Sequence, residues 1–217
     1  IVSGFTGKSI KNSSLLFNKI SPRIIKTTVK EAELIKLFTN SLRYIQFATA
    51  NQFYMICKNF NVNFKSLRAS MIDGYDRAKW LPSAGFTSGP CLMKDTMQLA
   101  AFNKNNVPLG HSAMILNEAL PDFIVDELSK EFDLSKKKVG ILGMTFKSNI
   151  DDIRDSLSFK LAKILEFKGA KVLCSDEFAK NKGFVGKDKV LKESDIIIIG
   201  TPHDAYKKIK ISKKIKL

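Results

Sequence analysis

Over residues 29–59 the chain contains no Gly or Pro, and apolar residues recur at Leu34, Leu37, Phe38, Leu42, Ile45, Ala48 and Phe53. Spacings of three and four predict one long helix, buried on most sides. A shorter helix is expected over 64–73, ended by Gly74. The stretch 73–90 carries Gly74, Pro82, Gly85, Gly89 and Pro90 and reads as loop. Helices are predicted again over 91–103 and over 110–132, the second bent near Pro121. Residues 1–28, with Gly4, Gly7 and Pro22, have no clear period and read as the remnant of a strand followed by a linker.

The period changes at Lys138. Val139-Gly140-Ile141-Leu142-Gly143 has the form of a buried strand ending in a glycine turn; a helix is predicted to follow over 157–168, then strands over 171–175 and 196–200. Strands that alternate with helices make a parallel sheet. The expected fold class is therefore α/β: a helical domain over 29–133, then a Rossmann-like parallel domain over 134–217.

Composition narrows the class. The chain has 217 residues, 44% of them apolar, enough for one large domain or two small ones. No apolar run approaches the roughly 18 residues of a membrane span. The start, Ile1-Val2-Ser3-Gly4, has neither Met nor the layout of a signal peptide, which reads as the middle of something longer. Cys57, Cys91 and Cys174 form neither a disulfide framework nor a zinc site, so no metal is expected and a reducing, cytoplasmic compartment is. The net charge of +15 raises nucleic-acid binding as a possibility. The basic residues are nearly all Lys and are spread along the chain, with Arg only at 23, 43, 68, 77 and 154, whereas nucleic-acid readers concentrate Arg among aromatics. A Lys-rich surface that attracts a small anionic substrate explains the charge equally well, and neither a nucleic-acid nor a membrane partner is expected.

Three segments could carry chemistry. In the run from Gly85 and Phe86 to Gly89-Pro90-Cys91-Leu92-Met93-Lys94-Asp95, Pro90 suits the first position of a helix. Cys91 would then sit in the first turn, where the helix dipole and Lys94 favour a thiolate. Asp95, four residues on, would share its face as a base; the alternative is a small core Cys, the reading preferred for Cys57 and Cys174. In the long helix, Lys36 and Asn40 stand four apart on an otherwise apolar stripe. Such a Lys either faces a polar cavity, where it can act on an oxyanion, or snorkels to the surface. The third segment, Phe146-Lys147 to Asp151-Asp152-Ile153-Arg154-Asp155-Ser156, follows the strand that ends at Gly143, the place where open α/β sheets bind ligands. Lys147 and Arg154 suit phosphate oxygens; alternatively the acids cap a helix and Arg154 pairs with one of them.

Taken in order, these segments resemble the UDP-glucose/GDP-mannose dehydrogenase family over nearly the whole chain. A family pattern A-E-x-x-K-x-x-x-N is matched at Ala32, Glu33, Lys36 and Asn40. A second, G-G-x-C-x-x-K-D, is matched at Gly89, Cys91, Lys94 and Asp95. The third, F-K-x-x-x-D-D-x-R-x-S, is matched at Phe146, Lys147, Asp151, Asp152, Arg154 and Ser156. Three departures bear on the choice of sugar: Ser88 replaces the first glycine, Pro90 precedes Cys91, and Asn51-Gln52 stands where N-E is usual.

The resemblance implies an NAD-dependent oxidation of the C6 alcohol of a nucleotide sugar to a carboxylate, through a thiohemiacetal and then a thioester on Cys91. It implies that Lys36 and Asn40 stabilise the oxyanions and that Asp95 positions or deprotonates a water. Gly85, Phe86, Gly89, Phe146 and Lys147 would hold the substrate, with Arg77 entering from a neighbouring subunit of a homodimer built on the long helices. Lys94 and Arg154 would lie near the cofactor. Most of the NAD site would belong to an amino-terminal Rossmann domain, whose last strand 1–4 resembles; no G-x-G-x-x-G follows a strand in this chain, and 213–217 stops short of a final strand. A basic binding module or a non-catalytic dimerisation module would account for the charge or the helices, but not for Lys36, Cys91 and Asp95 in order. UDP-glucose, GDP-mannose and the UDP-N-acetylhexosamines all remain open as substrates.

Overall fold

The computed structural model describes residues 1–209. Its helical part is α1 (Gly7–Phe17), α2 (Val29–Asn59), α3 (Phe64–Ile72), α4 (Leu92–Phe102) and α5 (Pro108–Glu131). The predicted long helix is present at the predicted bounds, and it starts there for a local reason. Thr28 accepts from the Glu31 N–H, and the Glu31 carboxylate takes the Thr28 N–H at 2.9 Å, a reciprocal cap.

Two expectations for the first half fail. Residues 1–28 are not simply strand and linker: α1 forms over 7–17, closed by a Thr6/Ser9 capping box. A run beginning with Gly and rich in Ser and Asn gives little helical period, so only the cap signalled it. The supposed strand at 1–4 is reduced to a single parallel bridge, Val2 with Lys26. The second failure concerns the burial of α2. Tyr44 and Ala48 are buried against α4 and α5, and Ala50 in a cluster with Phe64 and Leu81, but Leu34, Ile35, Phe38 and Leu42 stand exposed, Phe38 by 53% and Leu42 by 57%.

The second half holds β1 (Lys138–Leu142), α6 (Leu157–Phe167), β2 (Lys171–Ser175), α7 (Lys187–Glu193) and β3 (Ile196–Ile199). The strands pair in parallel in the order β2-β1-β3. Alternation along β1 sends Val139 and Ile141 to one face, against α5 and α6, and Leu142 to the other, with Val190 of α7 and Tyr206. Gly140 is required on the α7 side, because a Cβ there would lie 2.4 Å from a Val190 methyl. α7 was not foreseen; with seven residues, five of them charged, it shows almost no apolar stripe.

α5 joins the halves. Its first part packs Ala113 and Met114 on Tyr44 and Ala48 of α2, and its second part packs Val125 and Leu128 on β1 and α6. Pro121 lies buried inside it.

Candidate active site

The sheet leaves β1 in one direction toward β2 and returns on the other side to β3, so the chain switches direction between β1 and β3. Ligands of open α/β sheets bind at such a point, outside the carboxyl ends of the strands. Here that position opens into a cleft of about 1490 Å³. Its walls include Phe146, Lys147 and Ser148 after β1, residues 198–202 at the end of β3, the loop 83–92, and the α2 face that carries Asn40 and Arg43. Of the candidate residues, Asn40, Gly85, Phe86, Gly89, Cys91, Phe146 and Lys147 share this one cleft.

Cys91 is exposed, whereas Cys57 is buried and Cys174 sits half-buried on β2, its thiol pushed up to about 11 by burial and the Glu166 charge. α4 starts one residue later than expected, at Leu92. Cys91 is thus the cap residue, and Pro90 lies outside the helix rather than at its first position. The carbonyl of Cys91 accepts the Asp95 N–H at 2.8 Å. The thiol stands at the amino end of α4, where backbone N–H groups point outward.

The Asp95 carboxylate does not pair with the Cys91 thiol: among the described residues no hydrogen bond joins the two side chains. The Asp95 carboxylate is fully buried, and its Oδ2 accepts from Lys36 Nζ and from Asn40 Nδ2, each at 2.5 Å. Burial pushes this carboxyl up, but the bonds from Lys36 and Asn40 and the charges of Lys36 and Lys94 outweigh it and hold it below its ordinary value. Asp95 Oδ1 is buried with no hydrogen-bond partner among the described residues. Lys36 is not buried as the apolar stripe suggested: its side chain is 58% exposed and reaches inward to Asp95 with its tip.

The loop 83–92 is held from behind by two buried amides. Asn51 Oδ1 accepts the Gly85 N–H at 2.9 Å, and Asn51 Nδ2 donates to the Gly85 carbonyl at 3.1 Å and to Asn117 Oδ1 at 2.9 Å. Asn117 Nδ2 then donates to the Tyr44 carbonyl at 3.2 Å. Sequence reasoning passed over Asn117; an Asn in a run of apolar helix residues was the signal for it.

At the tip of the loop, Gly89 donates its N–H to the Asp155 carbonyl at 3.3 Å and lies against the Phe146 ring. The Asp-rich segment does not cap α6; Ser156 does, through the Ser158 N–H. Arg154 forks onto Asp152, with its Nη2 2.7 Å from Oδ2. That bond, then the Asp152 charge, raises the guanidinium above its ordinary value, and the nearby Asp155 and Cys91 add to the effect. Arg154 thus lies within electrostatic reach of the thiol. Arg77 occupies the short 3-10 turn Asp76–Ala78, exposed and outside the cleft walls of its own chain.

The turn after β1 does not fit a dinucleotide. Gly143 has φ +90, and a Cβ there would fall 2.3 Å from the Thr201 carbonyl, so the glycine serves strand packing rather than ligand approach. Met144 is fully buried. Asp176, the acid at the end of β2 where a dinucleotide ribose would sit, is fully buried as well, and its Oδ2 takes the Met144 and Thr145 N–H groups at 2.6 and 3.2 Å. No His/Cys/Asp/Glu cluster among the described residues could hold a metal, and no described helix is long and apolar enough to cross a membrane.

The family model for the central domain of the UDP-glucose/GDP-mannose dehydrogenases matches residues 30–119, and that family's UDP-binding domain matches residues 140–217. The UDP-N-acetyl-D-mannosamine dehydrogenase of Methanocaldococcus jannaschii is 29% identical over 210 residues, which cover 95% of this chain and 49% of that protein. The UDP-glucose 6-dehydrogenase of Haloferax volcanii is 33% identical over 163 residues, 73% of this chain and 38% of that protein. The solved UDP-N-acetyl-D-mannosamine dehydrogenase of Pyrococcus horikoshii superposes with a TM-score of 0.85 at 26% identity, over 98% of this chain and 53% of the other. The chain thus spans about half the length of the relatives it matches. With its switch-point cleft, its cysteine at a helix start and both domain models matched in order, the chain belongs to the UDP-glucose/GDP-mannose dehydrogenase family, of which it carries the central and UDP-binding domains.

Proposed function

We propose that this chain is the central and C-terminal part of a UDP-sugar 6-dehydrogenase, which oxidises the C6 alcohol of the sugar to a carboxylate with NAD as acceptor. The observation that carries the reading is the shared cleft: Cys91 and Asn40 on one wall, Lys147 on the other. A nucleotide sugar spans that gap, with its diphosphate on Lys147 and its C6 at Cys91.

Lys147 binds the diphosphate as a point charge, and Gly85, Phe86, Gly89 and Phe146 shape the wall beside it. Cys91 Sγ attacks the C6 aldehyde; the C–S bond forms and the carbonyl pair moves to oxygen. Asn40 and Lys36 supply donors to that oxyanion, and Asp95 keeps both in place; losing one such donor typically costs about 10²–10³ in rate. In the hydrolysis of the thioester, water adds, the tetrahedral oxyanion collapses and Cys91 thiolate leaves. Asp95 Oδ1, which has no other described partner, accepts a hydrogen bond from the water and positions it.

NAD, when bound, accepts hydride. The turn after β1 does not fit it, so this chain's contribution to its site is confined to cations beside Cys91, Lys94 and Arg154. Arg77 reaches the substrate of a partner subunit in a homodimer. No nucleic acid and no membrane enters this reading, and the cytoplasm is the compartment that suits three free thiols.

The test is turnover of a panel of UDP-sugars and GDP-mannose with NAD by the enzyme that carries this chain. UDP-N-acetyl-D-mannosamine and UDP-glucose head the panel because the relatives named above are dehydrogenases of these two sugars. Cys91→Ser is expected to abolish formation of the acid, and normal turnover by that variant would remove the covalent mechanism.

A further inference from the structure

Two fully buried titratable side chains, Asp176 and His203, lie behind the cleft and take no part in the chemistry above. Each belongs to the end of a strand beside β1: Asp176 follows β2 directly, and His203 follows β3 by four residues. They meet behind the turn 144–149, with His203 Nε2 3.1 Å from Asp176 Oδ2.

Several of their other hydrogen bonds go to that turn, including a contact of His203 Nε2 with Thr145 Oγ1 at 3.3 Å. Asp176 Oδ2 accepts the N–H groups of Met144 and Thr145, at its start. His203 Nδ1 accepts the N–H of Asn149, at its finish, at 2.8 Å. An acceptor at Nδ1 fixes the tautomer, so the ring proton sits on Nε2 and is donated to Asp176. Asp176 Oδ1 in turn accepts from Phe178 and Ala179, which ties the carboxylate to the segment after β2. Outside, Asn149 and Asp204 exchange two further bonds, Nδ2 to Oδ2 at 2.8 Å and the Asp204 N–H to Oδ1 at 3.0 Å. Within the turn, Thr145 Oγ1 donates to the Lys147 carbonyl at 3.0 Å.

Lys147 itself is exposed on the cleft side and its side chain has no partner among the described residues; only the backbone beneath it decides where its ammonium points. A flexible four-carbon stem binds an anion well only when its base is fixed. We propose that His203 and Asp176 are positioning residues for UDP binding: clamped between β2 and β3, they hold both ends of the turn that presents Lys147 to the diphosphate.

The inference rests on the reading that Lys147 takes the diphosphate, and a mutant cycle separates the two. UDP binding to the 217-residue chain is measured by calorimetry for the wild type, Lys147→Ala, His203→Gln and the double variant, with thermal unfolding of each as a check on folding. His203→Gln keeps a donor for Asp176 and loses the acceptor for Asn149. It is expected to weaken UDP about tenfold, a coupling of ordinary size for residues in one network, and to have almost no further effect once Lys147 is Ala. His203→Asn, whose Oδ1 replaces Nδ1, is expected to restore most of the affinity. Asp204→Ala removes one of the two exposed bonds to Asn149, that from Nδ2 to Oδ2, without touching the interior, and is expected to weaken UDP about threefold, again only with Lys147 present. Should His203→Gln fail to fold, the Asp204→Ala cycle alone decides the matter. Unchanged affinity in the His203→Gln and Asp204→Ala variants, or equal losses with and without Lys147, would overturn the inference. No UDP binding by the wild type, or none lost in Lys147→Ala, would instead bring down the reading of the site.

Discussion

Gly89 lies so close to the Phe146 ring that a Cβ built on the glycine would fall 2.4 Å from the aromatic Cδ2. The two residues belong to the central and the UDP-binding domain respectively, and their contact joins the loop of Cys91 to the turn that carries Lys147. Gly89 also holds φ +96, which a side chain resists. Gly89→Ala is therefore expected to lower stability by about 1–3 kcal/mol from the backbone alone and to raise the KM for nucleotide sugar at least about tenfold, as Phe146 is driven into the cleft. Adding Phe146→Ala should recover part of the stability, since it removes the clash and leaves only the backbone strain. A Gly89→Ala enzyme with unchanged melting temperature and KM would count against the contact.

Lys36, Asn40 and Asp95 give a pH dependence with a defined sign. Asp95 is held below its ordinary value in the folded chain, so its contribution to stability is complete above the unfolded value of about 3.9 and is lost as pH falls through the folded one. Asp176 has the same sign: burial raises it, but the N–H groups of Ala179, Phe178 and Met144, with His203, lower it further. Melting temperature should fall steeply as pH drops below about 4, and Asp95→Asn should flatten that fall while leaving the neutral-pH side level. Equal steepness in wild type and variant would show that Asp95 does not titrate as its contacts require.

The exposed stripe Leu34, Ile35, Phe38 and Leu42 on α2 predicts self-association. Light scattering at micromolar concentration should give a homodimer, and Phe38→Glu, at a side chain 53% exposed in the single chain, should give a monomer. A wild-type monomer would remove both the dimer and the proposed role of Arg77 across it.

The cofactor separates the fold of the C-terminal domain from its ligand. Calorimetry on this chain is expected to find UDP bound and NAD hardly bound, because Met144, in the turn that a dinucleotide would need open, and the side chain of Asp176 behind that turn are both buried. Micromolar NAD binding without UDP binding would reverse that assignment.

The elements that bury apolar stripes were legible: α2, β1, β2, β3 and α6 sit within one or two residues of their predicted bounds. α1 and α7 were not, because polar residues dominate both and only caps or tertiary contacts define them. For the site, Asn40, Cys91 and Lys147, which only the resemblance brought together, line one cleft, whereas the spacing of Cys91 and Asp95 misplaced the carboxylate. A separation of four puts Cys91 and Asp95 on one face only if both are helical; with Cys91 at the cap, Asp95 turns inward to Lys36 and Asn40, which lie 59 and 55 residues away in sequence. Asp176 and His203 carried no local pattern at all, since what unites them is the parallel sheet.

α5 runs uninterrupted from the packing of α2 to the packing of the sheet. A flexible tether between the halves would let the cleft close like a jaw on whatever entered it. A continuous helix is a strut: widening or narrowing the gap means bending it, and the buried Pro121 is where it bends most readily, since the helix lacks a hydrogen bond there. The distance from Cys91 to Lys147 is then a fixed gauge. On the proposed reading, sugar nucleotides would then be sorted by whether C6 arrives at the sulfur when the diphosphate is seated, and a sugar that falls short by one bond length would bind without reacting.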